Sequence, residues 1–249
     1  MIQKLFDKLL CSVSRKDEWT DWHERTKDKI KRAKAEGKIL ELSDQTEVKY
    51  YHWIADEVLS FIGSIDGPIL EVGGGSGALS FELSKRCGCK VTIFDSSNIA
   101  LEYARMVFGE HEHNLVMGDA TNIPFPDESF YLVHSVGLIE HFPDSTINRM
   151  IGEMVRLVKK KGYIFLAVPN YFSPDLLSLW IKYGKGSERY ISAKRMAEIV
   201  GKSDLRVITF GHSEFSFSEN LGQFIPQSIE KIAGRCGLGF LNYVICKKC

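Results

Sequence analysis

From Pro68 onward, short apolar runs alternate with stretches in which apolar residues return every three or four positions. The runs PILEV (68–72), KVTIFD (90–95), NLVMGD (114–119), FYLVHSV (130–136) and GYIFLAVPN (162–170) predict buried strands. Between them GALSFELSKRC (77–87), SNIALEYARMVFG (97–109) and STINRMIGEMVRLVK (145–159) predict helices. The tail continues as a helix (192–203), a strand (205–211), a helix (219–236) and a strand (239–248). Strands separated by helices of this length imply right-handed crossovers. The expectation is an α/β fold with a mostly parallel sheet and helices on both faces.

Residues 1–60 follow a different pattern. The segment 16–40 is charged and has no Gly or Pro before Gly37. Val48, Tyr51, Ile54, Ala55, Val58, Leu59 and Ile62 then trace one face of a second helix. The expected organisation is an N-terminal helical cap over 1–60 and an α/β domain over 61–249. Residues 171–191 are rich in aromatics and follow the carboxyl end of a strand, where open α/β sheets bind ligands, so they form the expected lid insertion.

Composition narrows the class. With 44% hydrophobic and 26% charged residues the chain reads as a folded globule. Lys plus Arg equals Asp plus Glu at 32 each, which argues against nucleic acid or an anionic membrane as the main partner. Residues 25–38 carry seven Lys or Arg, read as a solvated helix face. No stretch has the apolar length of a signal peptide or a membrane span, and the reading is cytoplasmic and soluble. The six cysteines lack regular disulfide spacing and read as reduced thiols. The Cys246/Cys249 pair lacks two further ligands at patterned spacing, so no metal site is expected.

The chemistry concentrates at ILEVGGGSGALS (69–80). Gly73, Gly75 and Gly77 allow positive φ and a close approach of backbone to ligand, and the helix after them turns free N–H groups to the same place. The segment also satisfies G-x-G-x-x-A, so the glycines alone admit a dinucleotide. Glu71 argues otherwise, because a carboxylate here repels a pyrophosphate and suits a ligand carrying an ammonium group. Asp95, ending the second strand, can accept from both hydroxyls of a ribose, and it can equally cap the helix that follows. Asp119, ending the third strand, can accept from an adenine amino group while the apolar loop after it sandwiches the ring. Three acids at three successive strand ends around one glycine turn favour an adenosine joined to an amino acid.

The series ILEVGGGSGALS, VTIFDSS, MGDATNIPFPDESFYLV, GLIEHFPD and KKKGYIFLAVPN resembles the class I S-adenosylmethionine-dependent methyltransferases, within them the small-molecule group that includes the quinone methyltransferases. The resemblance covers about residues 65–170. It implies a Rossmann-like seven-stranded sheet, parallel except for an antiparallel last strand. It also implies that Glu71, Gly73, Gly74, Gly75 and Gly77 hold the methionine part of the cofactor and that Asp95 with Ser96 holds the ribose. Asp119 with Ala120 would hold the adenine, and residues 134–137, Ser135 included, would lie beside the sulfonium. One departure is Tyr131, where many relatives carry Asp.

Methyl transfer from a sulfonium chiefly needs an acceptor held in line with it, away from water. Tyr50, Tyr51, Trp53, Tyr171, Phe172, Trp180, Tyr183 and Tyr190 are the aromatics expected to line an acceptor cavity, or else to fill the cap's own core. His141 is the candidate base, with Glu140 beside it. Neighbours on a helix do not face one another, so the two are not a ready-made pair. The acceptor is expected to be a small molecule and a homodimer is left open. The alternatives are a protein that binds the cofactor without transfer and an NAD-dependent oxidoreductase, which Glu71 and Asp119 oppose.

Overall fold

The computed structural model describes residues 18–36, 45–174, 176–177, 188–201, 203–213, 232 and 234–249. Two helices, α1 (Glu18–Glu36) and α2 (Gln45–Ile62), lead into β1 (Ile69–Val72), α3 (Ala78–Cys87), β2 (Val91–Asp95), α4 (Asn98–Phe108) and β3 (His113–Met117). Then come β4 (Phe130–Val136), a single 3-10 turn (Ile139–His141), α5 (Asp144–Leu157), β5 (Val158–Pro169), α6 (Ala193–Val200), β6 (Leu205–His212) and β7 (Leu241–Lys248). The sheet order is β3-β2-β1-β4-β5-β7-β6. β1 to β5 pair in parallel, whereas β7 lies antiparallel between β5 and β6. The expected seven-stranded sheet with one antiparallel strand is therefore present.

The period of two along each strand divides the core into two layers. Leu70, Val72, Val133, Ile164 and Leu166 face the layer built with α5 and α6. Ile69, Ile93, Leu132, Phe165 and Ala167 face the layer built with α2, α3 and α4. Glu71 and His134 share the second face by the same alternation, which aims both toward α3. Along α5 the buried residues Ile147, Met150, Ile151, Met154 and Leu157 repeat at helical spacing and supply the first layer.

Local signals set the helix ends. Ser97 accepts from the Ala100 N–H and caps α4, and Ser192 accepts from the Arg195 N–H and caps α6. Gly88, in the left-handed region, closes α3 by donating to the Ser84 carbonyl. Two boundaries differ from the sequence pattern. β5 begins at Val158 and not Gly162, so Val158 and Lys159, read as the end of a helix, lie in the strand with Lys160 and Lys161. The strand absorbs them through a register shift against Phe130 and Leu132 and a positive φ of 64° at Lys161. The expected helix at 219–236 falls largely outside the described residues.

The second N-terminal helix is embedded in the α/β core. Ile54, Ala55, Val58 and Ile62 of α2 are buried with the sheet, and the Tyr243 hydroxyl of β7 donates to Glu57 at 2.7 Å. α1 packs Ile30 and Ala33 inward and pairs Lys34 with Glu102 of α4 at 2.5 Å. Among the described residues no helix is long and apolar enough to cross a membrane, and no cluster of three or more His, Cys, Asp or Glu could hold a metal ion.

Candidate functional site

The glycine turn sits at the carboxyl ends of β1 and β2, tied down by the Gly73 N–H donating to Phe94 O at 2.8 Å and the Gly77 N–H donating to Gly74 O at 2.7 Å. Gly73, Gly75 and Gly77 all have positive φ, as the sequence predicts. Close packing is a further reason for two of them. A Cβ on Gly73 would stand 2.8 Å from a Leu138 methyl, and one on Gly77 2.8 Å from the Phe108 ring. A Cβ on Gly74 would meet Ile93 at 2.6 Å. The turn is thus pressed from behind by the core.

Asp95 is buried at the end of β2, with Oδ2 accepting from the Gly75 N–H at 3.1 Å and Oδ1 from the Ser97 N–H at 2.8 Å. One carboxylate joins the glycine turn to the start of α4. The cap itself is Ser97, so the capping role weighed for Asp95 passes to its neighbour. Ser96 beside it is exposed. Glu71 is buried and accepts from the Ser80 N–H at 3.3 Å. Burial lifts its carboxyl from 4.5 to about 7, with Asp95 adding to the rise and the hydrogen bonds from Ser80 opposing it.

Asp119 is exposed and accepts from the Thr121 N–H at 2.8 Å. That bond, the Thr121 side chain and Arg149 hold it below the usual carboxylate range. Ala120 packs at the edge of the first core layer. The loop that follows is fastened by a residue the sequence reading missed. Arg156 of α5 donates to the Phe125 carbonyl at 2.7 Å, the Ile123 carbonyl at 2.9 Å and Asp127 at 2.8 Å. Its partner Glu153 accepts from the Ile123 N–H at 2.8 Å. Only the spacing of an Arg and a Glu on one helix face could have hinted at this clamp.

At the end of β4 the side chains take separate places. Ser135 is buried and donates to the Val72 carbonyl at 2.7 Å, bracing β1 against β4. His134, expected in the segment beside the sulfonium, has its side chain fully buried toward α3, with Nε2 2.8 Å from Ser80 Oγ. Glu140 and His141 come together after all, with His141 Nε2 4.0 Å from Glu140 Oε1.

The aromatic candidates form two groups. Tyr50 meets Tyr51 at 5.0 Å and Phe240 at 5.6 Å between ring centres. Tyr190 meets Tyr171 at 5.5 Å and Phe172 at 5.3 Å. Burial first, then Tyr51 and Glu140, push the Tyr50 hydroxyl well above its ordinary pKa, while the Glu140 carbonyl accepts from the Arg189 N–H at 2.9 Å. Arg189 also donates to Phe142 O at 2.5 Å and Asp144 at 2.8 Å. Trp180 and Tyr183 lie outside the described residues. A second group the sequence reading missed is Asn170, whose buried amide donates to Gly237 O at 2.9 Å and Gly239 O at 2.7 Å. It fixes the start of the 171–177 segment against the approach to β7.

Residues 69–162 match a family model described as a methyltransferase domain. The match starts at β1 and takes in the glycine turn, Asp95, Asp119 and the β4 end. Residues 69–162 thus carry a methyltransferase domain. This domain is similar to the rice (Oryza sativa subsp. japonica) chloroplastic 2-methyl-6-phytyl-1,4-hydroquinone methyltransferase 1, 30% identical over 148 residues, 57% of this chain and 43% of that protein. It is also 30% identical over 149 residues to the sterol 24-C-methyltransferase ERG6A of Gibberella zeae, 56% of this chain and 38% of that protein. The chain thus matches about two fifths of the length of these relatives. Among solved structures, a chain of the Haloferax volcanii complex with the Trm112 methyltransferase activator superposes with a TM-score of 0.63 at 18% identity, over 94% of this chain and 97% of its own. Geranyl diphosphate C-methyltransferase from Streptomyces coelicolor, crystallised with S-adenosyl-L-homocysteine, gives 0.58 at 11%, over 79% and 75%. Both structural likenesses concern the fold of the methyltransferase domain.

Proposed function

We propose that the protein transfers a methyl group from S-adenosylmethionine to a small or medium-sized acceptor. The observation that carries this is the placement of Glu71, Asp95 and Asp119 at the carboxyl ends of three adjacent strands around one glycine turn. Bound there, the cofactor supplies an electrophilic methyl on a sulfonium. Its three hydrogen-bond-donating regions, an ammonium, a ribose diol and an adenine amine, match three carboxylates in order. Glu71 receives the ammonium and Asp95 the diol, with Ser96 at its side. Asp119 and Ala120 receive the adenine.

The acceptor is assigned to the ends of β4 and β5, beside Glu140, His141 and Tyr50 and the Tyr171–Tyr190 pair that follows β5. Aromatic walls suit an acceptor with an apolar body and exclude water from the transfer. His141, half-buried beside the Glu140 carboxylate, is placed to take a proton from an acceptor hydroxyl or carbon. In this reading α1 acts as a cap and the described residues after β5 as part of a lid, while α2 belongs to the α/β core. The free thiols at Cys87, Cys89, Cys236, Cys246 and Cys249 suit a reducing compartment such as the cytoplasm.

The test is incubation of the protein with methyl-labelled S-adenosylmethionine and a metabolite extract, followed by mass spectrometry of the products. A labelled small molecule, lost in His141→Ala or formed more slowly, is the expected result. Cofactor binding without any labelled product would overturn transfer in favour of a binding protein. A second expectation concerns the adenine loop. Arg156→Ala strands the Ile123 and Phe125 carbonyls and loosens the segment behind Asp119. S-adenosylhomocysteine binding should weaken about tenfold, from the loss of hydrogen bonds each contributing about 1 kcal/mol. Calorimetry on a variant with unchanged circular dichroism checks this.

A further inference from the structure

On the sheet face covered by α3, three polar side chains meet inside an apolar wall. Glu71 and His134 are register partners on β1 and β4. Ser80 Oγ lies 2.8 Å from His134 Nε2, the Ser80 N–H donates to Glu71 Oε2 at 3.3 Å, and His134 Nε2 stands 3.9 Å from that same oxygen. Ser80 and His134 are fully buried and Glu71 nearly so. Burying three polar groups together is unfavourable unless each satisfies another.

The geometry fixes who donates. Burial lowers His134 from 6.5 to about 3, so its ring is neutral and carries one N–H. Nδ1 has no hydrogen-bond partner among the described residues. A buried N–H without an acceptor costs more than a bare ring lone pair, which puts the proton on Nε2. That N–H donates to Ser80 Oγ and leaves the Ser80 hydroxyl proton for the Glu71 carboxylate.

We infer that His134 is a positioning residue for cofactor binding, acting through Ser80 to hold the Glu71 carboxylate in one orientation at the glycine turn. The inference rests on the proposed role of Glu71 as the group that receives the cofactor ammonium. The titratable groups facing Glu71 are Asp95 from β2 and neutral His134 from β4, while α3 presents the Ser80 hydroxyl and amide. An ammonium ligand binds the ionised carboxylate. Affinity therefore rises with pH up to the carboxyl value of about 7 and levels off above it. Losing the hydrogen bond from Ser80, which opposes the rise, moves that inflection to higher pH.

S-adenosylhomocysteine binding by calorimetry between pH 5.5 and 8.5 tests this in the wild-type chain and in His134→Leu, His134→Gln and Ser80→Ala. His134→Leu should weaken binding at pH 8 about tenfold, the scale of one lost buried hydrogen bond, and shift the inflection upward. His134→Gln keeps an N–H donor for Ser80 and should restore affinity to within about threefold. Ser80→Ala should reproduce the His134→Leu profile, and it carries the test alone if the leucine variant does not fold. A folded His134→Leu or Ser80→Ala variant with wild-type affinity and inflection overturns the relay. If the wild-type chain itself does not bind, the cofactor assignment of Glu71 falls instead.

Discussion

Asp95→Ala is expected to remove measurable S-adenosylhomocysteine binding in the micromolar range. In the proposed site Asp95 accepts from the ribose hydroxyls, and in the fold it accepts from the Gly75 and Ser97 N–H groups. Hydrogen bonds to a charged group contribute about 1.5–3 kcal/mol each. Losing two of them weakens binding by about two orders of magnitude or more. Asp95→Asn retains one acceptor oxygen and should fall between alanine and wild type. Calorimetry with circular dichroism as a folding control decides the matter. A dissociation constant within threefold of wild type in the alanine variant would sink the ribose assignment.

The second large effect concerns stability. Gly77→Val should lower the unfolding free energy by about 3 kcal/mol or more. It combines a left-handed backbone with overpacking of the core. The φ of Gly77 is 66°, and a Cβ there would lie 2.8 Å from Phe108 and 3.0 Å from Ile93. For a chain of this size that is a drop in melting temperature of about 6–12 °C. Gly88→Ala separates the two contributions. Gly88 has the same φ of 66° with nothing within 4 Å of a Cβ, so only the backbone strain of about 1–2 kcal/mol remains. Equal losses in the two variants would show that packing against Phe108 does not matter.

The sequence made the sheet legible because its buried strands are nearly unbroken apolar runs and its helices keep a clear period. The placement of Glu71, Asp95 and Asp119 at or near strand ends was legible too, since the parallel topology gathers those ends. What stayed hidden depends on contacts between distant segments. Nothing in STINRMIGEMVRLVK says that Arg156 will reach the carbonyls of Ile123 and Phe125. Nor does GLIEHF announce that His141 Nε2 will stand 4.0 Å from Glu140 Oε1. His134 was placed in the right strand, but its side-chain direction follows from register with Glu71, which only the sheet supplies. Val158 and Lys159 read as helix, and Lys160 and Lys161 as neither, because a bulged strand leaves no periodic signature.

The position of β7 also bears on the order in which the molecule assembles. Among the described residues β6 pairs with the sheet only through β7, and β7 pairs with β5 from Tyr163 to Pro169. During synthesis β1 to β5 can pair and enclose the glycine turn while residues 241–248 are still being made. β6 cannot join the sheet until those residues arrive. The pairing of β5 with β7 bridges more than 70 residues of chain at its closest register, and long loops of this kind close late. The cofactor half is thus free to form first, with the β6 edge completed by a strand inserted into the gap.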